Sequence, residues 1–306
     1  MDEAGKPWSR HKADSLEEIA RICTFSNEPL LLVESTSPDA KLLVHLADAR
    51  IPVLIAAPHF LPLLAIKLQA EDGDVLSCWR QLSEETAVLI TAAANEAAII
   101  IRPADVQSRS TRTVSFSAWE LAEPTFERAA SFCPDSTLLS TEEELGALHG
   151  LLADLPPEIM LYCQAMEERL LGRELRVPIP VTGLVLSDDF TPFLGDMEVV
   201  GEPRGLLCGP FVRLPTGSWT VRVAVEVSES ILGAAWVADV FVYKDNAGVS
   251  HARLDGFASS ATHLEVSMSF VVQDPHDPYE FRFALSDTLL TKGTLQVASI
   301  IVESQS

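Results

Sequence analysis

Beyond Val181 helical periodicity disappears, and the chain alternates between apolar and polar residues with a period of two. Between Ser218 and Val227 the apolar set is Trp219, Val221, Val223, Val225 and Val227, while Thr220, Arg222, Ala224 and Glu226 take the other parity. Successive side chains of a β-strand point to opposite faces, so such a run requires a strand with one buried face. Leu264, Val266, Met268 and Phe270 alternate in the same way against His263, Glu265, Ser267 and Ser269. Tyr279, Phe281, Phe283 and Leu285 do so against Glu280, Arg282, Ala284 and Ser286. Turn residues separate the runs, at Gly201-Glu202-Pro203, Asp245-Asn246-Ala247-Gly248, Asp274 to Pro278 and Lys292-Gly293. Short strands at this spacing imply an antiparallel β-sandwich of the jelly-roll kind. Within it, Gly209 to Val227 reads as two strands folded about Pro215-Thr216-Gly217, with Trp219 a core anchor because its parity partners are all apolar.

The first half has a different rhythm. Ser15-Leu16-Glu17-Glu18 has the capping-box form and predicts a helix with Leu16, Ile19 and Ile22 on one face. Apolar runs at Pro29–Val33, Ile51–Ala57 and Ile99–Ile101 read as buried strands. Helical stretches lie between them: one from Pro38 behind a Ser37 cap, one over Leu61–Ala70 and one over Glu84–Ala97. Short apolar strands separated by helices are the βαβ pattern of a parallel sheet, so a Rossmann-like α/β domain is expected. The apolar run Ile51–Leu68 contains Pro52, Pro58 and Pro62, which would interrupt a spanning helix. The expected division is residues 1–139 for the α/β domain, 140–177 for a helical connection and linker, and 178–306 for the sandwich. The connection includes a capping box at Ser140, a helix carrying Ile159, Cys163, Met166 and Leu170, and an extended linker over Arg173–Val181.

Composition narrows the partners. The net charge is −22, from 44 acidic and 22 basic residues. A surface that acidic repels phosphate backbones and anionic lipid, so neither nucleic acid nor membrane insertion is expected. Five scattered cysteines form no CxxC pair and no metal-ligand cluster, and no basic segment followed by an apolar one opens the chain. These features fit reduced thiols in a cytoplasmic protein, with no cofactor and no metal.

In an open α/β sheet, ligands sit beyond the carboxyl ends of the strands, which nominates Ser35, Ser37, His59 and Arg102. A nucleotide is disfavoured there. The chain contains no G-x-G-x-x-G and no G-x-x-x-x-G-K-[ST], and the first strand-to-helix turn carries a carboxylate instead of glycines. Asp72-Gly73-Asp74 has D-x-D spacing but is also an ordinary acidic turn, as are Asp188-Asp189 and the Asp274, His276, Asp277 loop. No nucleophile elbow, H-E-x-x-H or Ser/His/Asp arrangement can be placed. In the sandwich, Val237, Asp239, Phe241 and Tyr243 share one parity, and Trp236, Ala238, Val240 and Val242 the other. If the first set faces solvent, Asp239, Phe241 and Tyr243 form a shallow sugar-binding patch; if the strand is covered on both sides they are core, and the parity leans towards core.

Gly209-Pro210-Phe211, Leu214-Pro215, Gly217 and Trp219, followed by Asp274-Pro275 and Pro278-Tyr279-Glu280-Phe281-Arg282, carry a resemblance. Residues 178–304 look like a C-terminal β-sandwich module of bacterial proteins linked to surface-polysaccharide synthesis, where the partner domain is often a glycosyltransferase or related α/β unit. The matching positions are turn and core residues, so the resemblance brings no catalytic residue. It implies a glycan-associated accessory protein, with a glycan or a polysaccharide-synthesis protein as partner. A glycosyltransferase-like enzyme using the α/β strand ends, and a homo-oligomeric scaffold, are the alternatives.

Overall fold

The computed structural model describes residues 10–25, 32–35, 38–51, 53–56, 60–70, 74–96, 98–101, 155–170, 172–244, 247–257 and 262–305. The chain divides into two compact units, Met1–Ala57 with Val88–Ser136, and Pro58–Ala87 with Thr137–Ser306.

In the first unit, β1 (Arg10–Lys12) pairs in parallel with β2 (Leu32–Glu34), and β3 (Val53–Ala56) pairs in parallel with β4 (Ala98–Ile101). These are two separate two-stranded sheets among the described residues. The capping box at Ser15 forms. Glu18 Oε2 accepts the Asp14 and Ser15 N–H groups at 2.8 and 3.2 Å, and α1 runs over Leu16–Phe25. Helix α2 (Ala40–Asp48) starts two residues later than the Pro38 reading, because Asp39 is its cap: Asp39 Oδ1 accepts the Leu42 N–H at 2.6 Å.

The second unit contains a helical cluster as well as strands. Helix α3 (Phe60–Ala70) and the Val75–Ala87 part of α4 (Val75–Ala93) belong to it, although their sequence position suggested the α/β domain. So does α5 (Pro157–Leu170), which opens on a proline at its first helical position. Helix α4 begins at Val75 rather than Glu84, where Asp74 Oδ1 accepts the Leu76 N–H at 3.1 Å. Phe60, Leu64, Cys78, Trp79, Leu82, Ile159, Tyr162 and Met166 are fully buried. Trp79 meets Tyr162 edge-on at 5.5 Å, and Glu167 Oε1 of α5 accepts the first N–H of α3, that of Phe60, at 2.8 Å.

The strands form two antiparallel sheets. One has the order β13-β10-β15-β5, with β7 also on β15; the other has the order β12-β11-β14-β8-β6, with β9 also on β14. Their ranges are β5 Arg176–Ile179, β6 Val185–Leu186, β7 Asp196–Gly201, β8 Arg204–Cys208 and β9 Pro210–Val212. The long strands are β10 Gly217–Val227, β11 Ala235–Lys244, β12 Ala247–Phe257, β13 His263–Val272, β14 Tyr279–Leu285 and β15 Leu289–Ser304. Alternation decides which faces meet. Trp219 and the four valines of β10 are buried, as are Val266, Met268 and Phe270 of β13, the Trp236 parity of β11, and Tyr279, Phe281, Phe283 and Leu285 of β14. Trp219 is a core anchor, with its Nε1–H donating to Pro215 O at 2.9 Å.

Two expectations for the strands change. Strands β9 and β10 do not pair about Pro215-Thr216-Gly217: β9 lies on β14 and β10 between β13 and β15, so the turn carries the chain from one sheet to the other. Alternation fixes a strand's faces but not its partners. The expected linker is also a strand, because β5 pairs with β15 and buries Val177 and Ile179. Pro178 is tolerated there because β5 ends the main strand order.

Helix α4 is seated on the sandwich by polar groups. Arg80 Nε and Nη2 donate to Pro210 O and Gly183 O at 2.9 and 3.0 Å, and its guanidinium lies 5.1 Å from the Phe211 ring centre. Ser83 Oγ accepts the Arg213 N–H at 3.1 Å, and Glu84 takes Arg213 Nε at 3.1 Å and His276 Nδ1 at 3.2 Å. Gly209 has φ 111°, and a Cβ there would stand 2.8 Å from Gly183 O, so the approach beneath Arg80 requires glycine.

Trp79→Ala should lower the unfolding free energy by about 3–5 kcal/mol in urea titration, the range for emptying a packed aromatic site. Burial, then the charge of Glu167, pushes the Cys163 thiol up to about 12. Burial also raises the Tyr162 hydroxyl, against its hydrogen bond with Thr86. The unfolded chain releases the thiol proton near 9.0 while the native core retains it, so stability should fall as pH rises from there towards 12. The urea midpoint should therefore drop between pH 8 and pH 10.5, and drop less in Cys163→Ala.

Candidate functional site on the six-stranded sheet

Three adjacent strands, β12 at the end of the order and β11 and β14 beside it, set the outer face of this sheet. Their register places Asp239 opposite Arg253 on one side and Arg282 on the other, Phe241 between Ser250 and Glu280, and Tyr243 opposite Gly248. Trp236, Ala238, Val240 and Val242 are buried against the core, so the parity of Asp239, Phe241 and Tyr243 points outward. The core reading of these three residues is thereby corrected: one parity of β11 satisfies the sandwich interior, and the other is left on the outside. Tyr243 is 59% exposed.

The aromatic pair is held from both sides. Phe241 and Tyr243 meet edge-on with ring centres 5.4 Å apart. The Phe241 ring occupies the space above Gly248, where a Cβ would come within 2.0 Å of the ring tip. The Arg282 guanidinium lies 3.3 Å from the Phe241 ring centre and 5.4 Å from that of Tyr243. Arg282 Nε and Nη2 fork onto Glu280 at 3.1 and 3.2 Å, and Glu280, though on the outer parity, is only 5% exposed. Burial works to lower the Arg282 pKa, but hydrogen bonding and charge from Glu280, aided by Tyr243, outweigh it and leave the pKa raised. Asp239 is fixed by the Ser250 hydroxyl, which donates to Oδ1 at 2.6 Å.

The three sandwich residues nominated from sequence thus come together, with unequal roles. Phe241 is half-buried and one of its faces is covered by Arg282, so it serves as a wedge; Tyr243 presents the exposed ring, and Asp239 an anchored carboxylate. Sequence reading missed Arg282, Glu280 and Gly248. Arg282 was visible as an outward residue of β14, but nothing local shows which strand lies beside it.

Of the strand-end candidates nominated in the first half of the sequence, Ser35 is exposed, and its hydroxyl donates to Asp14 Oδ1 at 2.6 Å. Ser37, His59 and Arg102 lie outside the described residues. In the D-x-D run, Asp72 and Gly73 also lie outside them, and Asp74 caps α4. Asp189 closes a turn by accepting the Thr191 N–H and hydroxyl at 3.0 and 2.8 Å, which holds its carboxyl below the usual range. Asp274 and Asp277 both take the Lys244 ammonium, at 3.3 and 3.0 Å.

No protein-family model matches the chain, and no curated protein is significantly similar to it. Solved structures with a similar arrangement include a xylan-binding module, at 11% identity and TM-score 0.32 over 44% of this chain and 99% of that one. Another is a carbohydrate-binding module of Cellvibrio mixtus lichenase 5A in complex with cellotriose, at 12% identity and TM-score 0.26 over 42% and 100%. A rhinovirus-B5 structure also matches, at 7% identity and TM-score 0.30 over 43% and 72%. The neighbours thus pair sugar-binding modules with a virus, and at these scores they decide nothing about a ligand.

Gly248→Ala should displace the Phe241 ring and with it the support of Tyr243. The expected cost is about 1–3 kcal/mol in urea titration, with altered near-ultraviolet circular dichroism and unchanged far-ultraviolet signal.

Proposed function

We propose that this protein is a non-catalytic, glycan-associated accessory protein that binds carbohydrate on the outer face of its six-stranded sheet. The observation that carries the reading is the Tyr243 ring, 59% exposed on a sheet face and flanked by an Arg282 fork already bound to Glu280. A pyranose offers an apolar C–H face and a rim of hydroxyls. An exposed aromatic ring meets the first, and planar charged side chains meet the second. Asp239 and Arg282 stand side by side across β11 and β14, an acceptor beside a donor, each fixed by a partner before any ligand arrives. Such pre-organisation removes part of the ordering cost that weak sugar contacts must overcome.

In this reading the sandwich is a jelly roll that carries the ligand, the α/β unit is its Rossmann-like partner, and the work belongs to surface-polysaccharide assembly in the cytoplasm. The resemblance of residues 178–304 to modules of such proteins supports that setting.

Glycan-array binding by the full chain tests the proposal. Tyr243→Ala should weaken binding to the best ligand by about tenfold or more, equivalent to ~1.4 kcal/mol, without lowering the melting temperature. Unchanged binding by Tyr243→Ala, or no binding to any glycan, would remove the sugar-binding reading of this face.

A further inference from the structure

The opposite face of the sandwich carries a second polar surface. Two shallow depressions, of about 360 and 350 Å³, adjoin on the outer face of the five-stranded sheet and share Arg176 and Ile301. The first reaches to Glu265 on β13 and the second to Leu161 on α5. Four strands at ~4.8 Å and a helix at ~10 Å make the combined trough roughly 20–25 Å long, running across the strands.

The floor is low because its central side chains are small: Ala224 on β10 stands opposite Ser299 on β15. Charged groups line the trough in alternating sign. Arg176 Nε lies 3.2 Å from one oxygen of Glu303, Arg222 Nε lies 3.1 Å from the other, and Arg222 Nη1 reaches Glu265 at 3.7 Å. The Glu303 side chain is 25% exposed and clasped from both sides, while that of Arg176 is 69% exposed and keeps donors within reach of a ligand. On the helix side, Glu168 pairs with Arg173 at 3.5 Å.

This inventory selects a ligand class. Every charge named has a partner of opposite sign, so the trough offers no net attraction to a polyanion or polycation, and the chain's charge of −22 opposes anions further. An extended peptide would need a free main-chain ladder, but the trough crosses the face of strands that are hydrogen-bonded to one another. Planar donors and acceptors over small and apolar floor residues remain, which suits an uncharged polyhydroxyl chain. We infer that the trough is a second carbohydrate site, for a neutral oligosaccharide lying across β10, β15 and β5 towards α5. The inference is independent of the Tyr243 face, since no residue is shared.

Calorimetric titration of the full chain with cellohexaose, xylohexaose and a β-1,4-galactan hexamer tests it. With both faces active, at least one of these ligands should bind two per chain. The stoichiometry should fall to one in Ser299→Trp, which fills the floor from outside the core, and remain two in Ser299→Ala. Ala224→Trp is the second blocking variant should Ser299→Trp lower the melting temperature. If only the trough binds, wild type should show one site, lost in Ser299→Trp and kept in Tyr243→Ala. Affinity should change less than about twofold between 20 and 300 mM NaCl, because no net charge is neutralised on binding. A stoichiometry indifferent to both blocking variants, absence of binding by all three hexamers, or a preference for polygalacturonate that weakens with salt would overturn the inference.

Discussion

A carboxylate on the outside of a sheet normally sits in water. Glu280 does not: it is 5% exposed, lies in the register between Phe241 and Pro210, and finds its compensation in the two-pronged contact with Arg282. Removing one partner of a pair this enclosed costs on the order of 3 kcal/mol, because the other charge is left desolvated. The pair also has a geometric effect. A guanidinium pinned at both Nε and Nη2 has little freedom left, and its plane falls over the Phe241 ring. Phe241, closed from the other side by Gly248, then fixes the edge on which Tyr243 leans. The exposed ring is the last link of a chain that starts at a buried charge.

The sandwich itself is not a free-standing pair of sheets. Its Gly183, Pro210 and Arg213 segments meet α4 through hydrogen bonds from or to Arg80, Ser83 and Glu84, and the same helix meets Tyr162 of α5 through Trp79 and Thr86. The Gly209-Pro210-Phe211 segment thus has a structural reason: it forms the socket for Arg80. A motif that looks like a turn in the sequence is a docking seat in the fold.

How much of this was legible follows from the range of each signal. Period-two alternation is local, so the buried parities of β10, β13 and β14, and the anchoring of Trp219, could be read directly, whereas β11 carries apolar residues on both parities and its outward set was read towards core. Partner choice is not local. The crossing at Pro215-Thr216-Gly217 looks the same as a hairpin, and the Arg173–Val181 run looks like a linker until β15 is seen beside it. The same limit hid the site. Asp239, Phe241 and Tyr243 could be nominated from one strand, but Arg282, Glu280 and Gly248 enter only when β14 and β12 are laid against it. In the α/β unit, Ser35 could be placed at a strand end from sequence, while its bond to Asp14 depends on β1 lying beside β2.

The chain has three tyrosines, and they sample three environments: Tyr162 is fully buried in the helical cluster, Tyr279 is 3% exposed between the sheets, and Tyr243 stands on the outer face. Fluorine NMR of protein labelled with 3-fluorotyrosine therefore gives three resonances that report on these places separately. On titration with a binding glycan, the account predicts that the one resonance sensitive to H₂O/D₂O exchange, that of Tyr243, shifts progressively to saturation while the two buried ones stay in place. A Tyr243 resonance unmoved at saturation, or shifts confined to Tyr162 and Tyr279, would contradict it.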